Sequence, residues 1–180
     1  MKLGLIRHFK VVTDEKTLLS SEEFAEAMKN YDVAPVKPNE LKINSDDWDI
    51  CYCSTLPRAI KTAENIYNKE IIKSDLLVEV PIAPFTKMNI KLPISMWHIV
   101  ARIAWYRSHK SQSEGINETR KRIMKFYEML NKSGYEQILI VAHGYLLHMF
   151  IKEMQKLGFD GNVEMNIQNG KLYQIEKKLF

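Results

Sequence analysis

A chain of 180 residues, 46% apolar and 27% charged, has the size and make-up of one globular domain, which excludes a disordered or collagen-like chain. The net charge of +4 is mild, and Lys and Arg are scattered rather than gathered in a stripe, so no nucleic acid is expected as a partner. Two cysteines make neither a disulfide framework nor a metal set, and no stretch approaches a signal-peptide core or the ~18 apolar residues of a membrane span. A cytoplasmic protein with no membrane contact is therefore expected.

The chain begins with an apolar run (Leu3, Leu5, Ile6) that stops abruptly at Arg7 and His8. Such a run reads as a buried strand, and its polar end is either the start of a solvated loop or the edge of a site. Ser20 and Glu23 then have capping-box spacing ahead of Phe24, Met28 and Tyr31, which predicts a surface helix ended by Pro35 and Pro38. Residues 48–53, aromatic and sulfur-rich, predict a second strand with Cys51 and Cys53 on one face. Ser54 or Thr55 can cap the helix that follows, with Pro57 in its first turn and Ile60, Ala63 and Tyr67 on its buried face.

Residues 71–80 predict a third strand carrying Glu79 near its far end, stopped by Pro81 and Pro84. A helix over 96–106 follows, read as an insert over the sheet edge, with Trp97, Trp105 and Tyr106 as packing residues. Arg102, Arg107, His109 and Lys110 fit a solvated face better than a second anion site, and His98 and His148 read as surface or packing residues. Residues 117–132 predict a helix closed by Gly134, and 137–142 form the clearest central strand, ending at His143 and Gly144. A further helix presents Leu147, Phe150, Ile151 and Met154 inward and stops at Gly158, and 172–175 predict a last strand at an edge.

In a parallel sheet, the ends carrying Arg7, His8, His143 and, one turn into a helix, Arg58 face the same way. Two helix N-termini there, with free N–H groups, also favour anions. Two histidines among guanidiniums suit a metal poorly, so a phosphomonoester is the expected ligand and no metal or cofactor is expected. One imidazole can attack phosphorus in line while the arginines neutralise the equatorial oxygens.

Leu5-Ile6-Arg7-His8, Cys53-Ser54-Thr55-Leu56-Pro57-Arg58-Ala59 with Thr62-Ala63, and Val141-Ala142-His143-Gly144 resemble, in order, three signatures of the histidine phosphatase superfamily. The resemblance implies the phosphoglycerate mutase-like α/β fold: a three-layer α/β/α domain over residues 1–180 with a mostly parallel central sheet and a cap-like insert over 81–114. It implies a phosphohistidine mechanism with His8 as nucleophile, Glu79 as general acid and base, and Arg7, Arg58, His143 and Gly144 holding the phosphoryl group. A solvated edge carboxylate is the alternative for Glu79. Hydrolysis of a small phosphorylated metabolite is the expected activity. A phosphoglycerate-type mutase and a catalytically silent phosphate-binding domain are the alternatives. Ser113 and Glu114 resemble a site-orienting element of the family but equally suit helix capping.

Phe9, Val11 and Asp14 depart from the Gly, Thr and Asn of the family's first loop. Phe9 is expected to narrow the pocket mouth, Asp14 to turn away from phosphate, and Lys10 is a candidate substitute contact.

Overall fold

A computed structural model describes residues 1–13, 17–37, 39–87, 90–164 and 166–178. Its elements run β1 (Lys2–Arg7), β2 (Leu18–Leu19), α1 (Ser21–Val33), β3 (Ile50–Ser54), α2 (Pro57–Ile66), β4 (Ile71–Ser74), β5 (Leu92–Pro93), α3 (Ile94–Tyr106), α4 (Ile116–Ser133), β6 (Gln137–Ala142), α5 (Gly144–Lys156), β7 (Phe159–Asp160) and β8 (Leu172–Lys177). The six-stranded sheet has the order β4-β3-β6-β1-β8-β7, with β4, β3, β6 and β1 mutually parallel and β8 and β7 antiparallel additions. The fold is thus α/β with a mostly parallel sheet, as the sequence predicts.

The period-2 alternation of strands decides which helix covers which face. Leu3, Leu5, Tyr52, Ile138 and Ile140 pack with Phe126 and Leu130 of α4 and Leu147 and Phe150 of α5. Ile6, Cys51, Cys53, Leu139 and Val141 point the other way, onto Ala59, Ala63 and Ile66 of α2. Both thiols are free and buried. A smaller cluster of Leu19, Phe24 and Trp97 ties β2, α1 and α3 together. The capping box at Ser20 and Glu23 forms, and Gly134 closes α4 with φ of 77°, the left-handed conformation glycine adopts without steric cost.

Gly4 sits on the α2 face of β1, where a Cβ would lie 2.3 Å from Trp48 Cη2. Gly4→Ala is expected to destabilise the protein by ~1–3 kcal/mol through overpacking, measurable as a lower urea midpoint with unchanged slope.

Several expectations need correction. The strand predicted over 71–80 stops at Ser74, whose hydroxyl accepts from Leu76 N–H and starts a 3-10 turn over Asp75–Leu77; Glu79 therefore lies in a loop. The second strand begins at Ile50 rather than Trp48. Neither Ser54 nor Thr55 caps α2, whose N-cap is Leu56 without a side-chain bond, because Thr55 Oγ1 is engaged with Asp75 Oδ1 at 2.7 Å and Ser54 points into the site. The strand at 172–177 is flanked by β1 and β7, so the edge falls to the two-residue β7. Phe9 is buried in the α2-side core rather than at a pocket mouth, held there as Phe9 N–H donates to Thr62 Oγ1. Lys10 is exposed, and the cavity described below is lined without it. Asp14 lies outside the described residues.

Candidate active site

The site grows from the C-terminal ends of three parallel strands. Pairing of β1 with β6 sets Arg7 opposite Ala142, and His8 N–H continues the ladder onto Ala142 O at 2.9 Å. His8 and His143 thereby become neighbours 135 positions apart in sequence, their ring centroids 5.1 Å apart. Both rings are buried.

His8 Nδ1 lies 2.7 Å from Phe9 O. A carbonyl oxygen only accepts, so Nδ1 carries the proton and Nε2 keeps its lone pair. Burial pushes the His8 pKa down to about 3, with Arg58 and Arg7 adding to the fall against the Phe9 hydrogen bond. The imidazole is neutral at neutral pH, the form a nucleophile requires. Asn169 Nδ2 donates to His8 O at 2.7 Å and fixes the backbone from the other side.

His143 Nε2 is 2.8 Å from Ser54 Oγ, which also accepts from Leu56 N–H. Oγ has two lone pairs, so either ring tautomer fits this contact; with the Ser54 proton on Nε2, the His143 proton sits on Nδ1. Burial, with Arg58 next, holds the His143 pKa well below the ordinary value. Among the described residues its Nδ1 is buried without a partner, as are Arg7 Nε, Arg58 Nε and Arg122 Nε.

Arg7 Nη1 donates to Ile167 O at 3.0 Å. Arg58, buried in the first turn of α2, reaches Asp32 Oδ1 at 2.7 Å and sits 5.0 Å from the ring of Tyr31, so the end of α1 clamps it. A Cβ on Gly144 would come within 3.0 Å of Arg7 Cζ and Nε; glycine there allows the guanidinium its close approach. Gly144→Ala is expected to displace Arg7 and weaken inorganic phosphate binding about tenfold, read by calorimetry, with the fold intact.

Glu79 Oε1 accepts from Val80 N–H at 2.9 Å and Leu146 N–H at 3.0 Å, and Oε2 from Tyr145 N–H at 3.3 Å. In the first turn of α5 the N–H groups of Tyr145 and Leu146 are thus engaged by a carboxylate rather than free for a ligand, which narrows the expected opening at that helix N-terminus. The loop bearing Glu79 is held by Arg122, whose Nη1 donates to Leu76 O and Val78 O while Nη2 bonds Glu114 at 2.7 Å. Glu114 also accepts from Thr119. It serves this network while Gly115 takes the N-cap of α4.

Arg7, Arg58, Glu79 and Gly144 line one end of a cavity of about 1400 Å³ whose other wall is α3. The residues singled out from the sequence therefore meet at one sheet edge. Ser54, Thr62, Asp32, Tyr31, Arg122 and Asn169 complete the arrangement, and their part in it shows only when distant segments come together. Trp97 and Trp105 are packing residues as expected, whereas Tyr106 stands exposed on the cavity wall.

A mostly parallel sheet with paired imidazoles and guanidiniums at the C-terminal ends of its parallel strands places the protein among α/β proteins with a strand-end histidine pair. The model of the histidine phosphatase superfamily (branch 1) matches residues 41–178, and the chain belongs to that superfamily. A phosphoglycerate mutase of Schizosaccharomyces pombe is 27% identical over 151 residues, covering 76% of this chain and 72% of its own. Among solved structures, the α-ribazole phosphatase of Shigella flexneri superposes with a TM-score of 0.64 at 18% identity, over 98% of this chain and 90% of that one. A phosphoserine phosphatase variant from Entamoeba histolytica, in complex with phosphoserine, gives 0.53 at 18% identity, over 86% and 80%. These structures share the fold. Among the described residues, no helix is long and apolar enough to cross a membrane.

Proposed function

We propose that this protein is a phosphomonoesterase working through a phosphohistidine on His8. The observation that carries the reading is that, of the four buried side-chain nitrogens without partners among the described residues, three, Arg7 Nε, Arg58 Nε and His143 Nδ1, belong to the groups around a neutral His8, the fourth being Arg122 Nε under the Glu79 loop. Burying such donors unsatisfied costs about 1–3 kcal/mol each, more for charged groups, and a phosphoryl dianion offers the oxygens that would satisfy them together.

In the first step His8 Nε2 attacks phosphorus as the bond to the ester oxygen breaks, and Glu79, protonated, gives its proton to the leaving alkoxide. In the second, Glu79 takes a proton from water as that water attacks phosphorus, and the bond to Nε2 breaks to release inorganic phosphate and neutral His8. Arg7, Arg58 and His143 meet the charge spread over the equatorial oxygens in both steps, with Gly144 giving Arg7 its room. Segment 81–114, with α3 at its centre, acts as the cap that shapes the substrate end. The two free thiols suit a reducing, cytoplasmic setting.

Incubation with p-nitrophenyl phosphate and, separately, 3-phosphoglycerate tests this. Free phosphate, with an acid-labile phosphoenzyme on His8, is expected. Isomerisation of phosphoglycerate without phosphate release would make the protein a mutase, and phosphate binding with neither product would make it a silent binding domain.

A further inference from the structure

The cavity continues well past the phosphate end, and its far wall has a distinct chemistry. Ile99, Ile103 and Tyr106 of α3 follow one another at helical spacing on one stripe, and they are 55%, 50% and 66% exposed. The opposite face of the same helix buries Trp97, Ala101, Ala104 and Trp105, with Trp97 Nε1 bonded to Leu19 O and Trp105 Nε1 to Thr119 Oγ1. The exposed stripe is therefore presented from an anchored helix. Met28 and Tyr31 of α1 line the same cavity. Apolar side chains scattered singly on a surface need no explanation, but a row of them lining a cavity does.

We infer that the alcohol esterified to the phosphate is bulky and apolar, an aryl or hydrocarbon group lodged against Ile99, Ile103 and Tyr106. The inference rests on the phosphomonoesterase reading and narrows its substrate class. Size points the same way: about 1400 Å³ exceeds the ~300–1,000 Å³ of ordinary small-ligand pockets, and a phosphate on a three-carbon skeleton would leave most of it filled with water.

Two guanidiniums also line the cavity, Arg102 within α3 and the exposed Arg107 just past its C-terminal end, outside the Ile99–Ile103–Tyr106 stripe. Arg102 is engaged, its Nη1 donating to Val80 O at 3.2 Å and its guanidinium 3.9 Å from the Tyr145 ring. His98 packs edge-on against Phe24, and burial lowers the pKa of both His98 and His148, so neither brings a cation at neutral pH.

The test compares 2-phenylethyl phosphate with glycerol 3-phosphate, two alkyl esters with similar leaving groups, by phosphate release. A kcat/KM ratio of about tenfold or more in favour of the phenylethyl ester is expected, since that side chain buries several methylene equivalents. The double variant Ile99→Ser, Ile103→Ser should cut the ratio at least about fivefold. A merely structural defect would depress both substrates alike and leave the ratio unchanged, and that result overturns the inference. So does a wild-type ratio at or below one with both esters turned over through His8, an outcome that leaves the phosphatase reading standing. If neither ester is hydrolysed and no phosphoenzyme forms on His8, the phosphatase reading falls and the inference with it.

Discussion

His8→Ala is expected to lower kcat by about 10⁴-fold or more while leaving inorganic phosphate binding within a few-fold of wild type. The two halves of this expectation have separate physical origins. Turnover needs the Nε2 lone pair, which exists because Nδ1 holds its proton against Phe9 O at 2.7 Å and because burial keeps the ring neutral. Binding needs donors, and the unpartnered nitrogens of Arg7, Arg58 and His143 all survive the substitution. Phosphate-release kinetics and calorimetry measure the two independently. Retained turnover would remove the nucleophile from the scheme, whereas loss of both would mean that the His8 ring organises the arginines instead of merely standing among them. His8→Ala also strips Phe9 O of its donor, so a melt belongs beside the assay to show that the variant is folded at the assay temperature.

The histidine pair was legible in the sequence for a simple reason. Leu3, Leu5 and Ile6, like the run over 137–142, are apolar almost without interruption, as a strand buried on both faces must be, and in a parallel sheet such strands end at one edge. Arg58 followed because Pro57 marks the first turn of its helix. Glu79 was found by residue type but set on the wrong element. The apolar pattern of 71–80 suits a strand; the local bond from Leu76 N–H to Ser74 Oγ turns the backbone away, and Arg122 on Leu76 O and Val78 O holds it there. Phe9 was misplaced because a side chain after a strand end carries no signal of which way it turns; Thr62, 53 residues on, decides that. Asp32 on Arg58, Ser54 on His143 and Arg122 under the Glu79 loop are contacts between remote segments, with no periodicity to announce them. The capping reading of Ser54 is chemically sound, since its hydroxyl does accept a nearby N–H, yet the same hydroxyl also meets the buried imidazole of His143.

Lowering the pH from 6.5 toward 5 should destabilise the protein steeply. Below its ordinary value of 6.5 the unfolded chain protonates His8, while the folded chain refuses that proton until about pH 3. Across this window the unfolded state binds more protons, so unfolding free energy rises with pH and falls on acidification, at up to about 1.4 kcal/mol per pH unit for one such group. His143, displaced in the same direction by burial and by Arg58, adds a second contribution of the same sign. His98 and His148 also shift downward, so the wild-type slope alone does not isolate the pair. Comparison with His8→Gln does, because the amide keeps a donor for Phe9 O and cannot titrate. Urea melts at pH 6.5, 6.0, 5.5 and 5.0 without phosphate should show the variant curve flatter than wild type by up to about 1.4 kcal/mol per unit. Parallel curves for wild type and variant would mean that His8 takes up its proton as readily folded as unfolded. Its titration near 6.5 would then take the lone pair that attack on phosphorus requires from half the molecules at that pH, and kcat would fall with acidification through it.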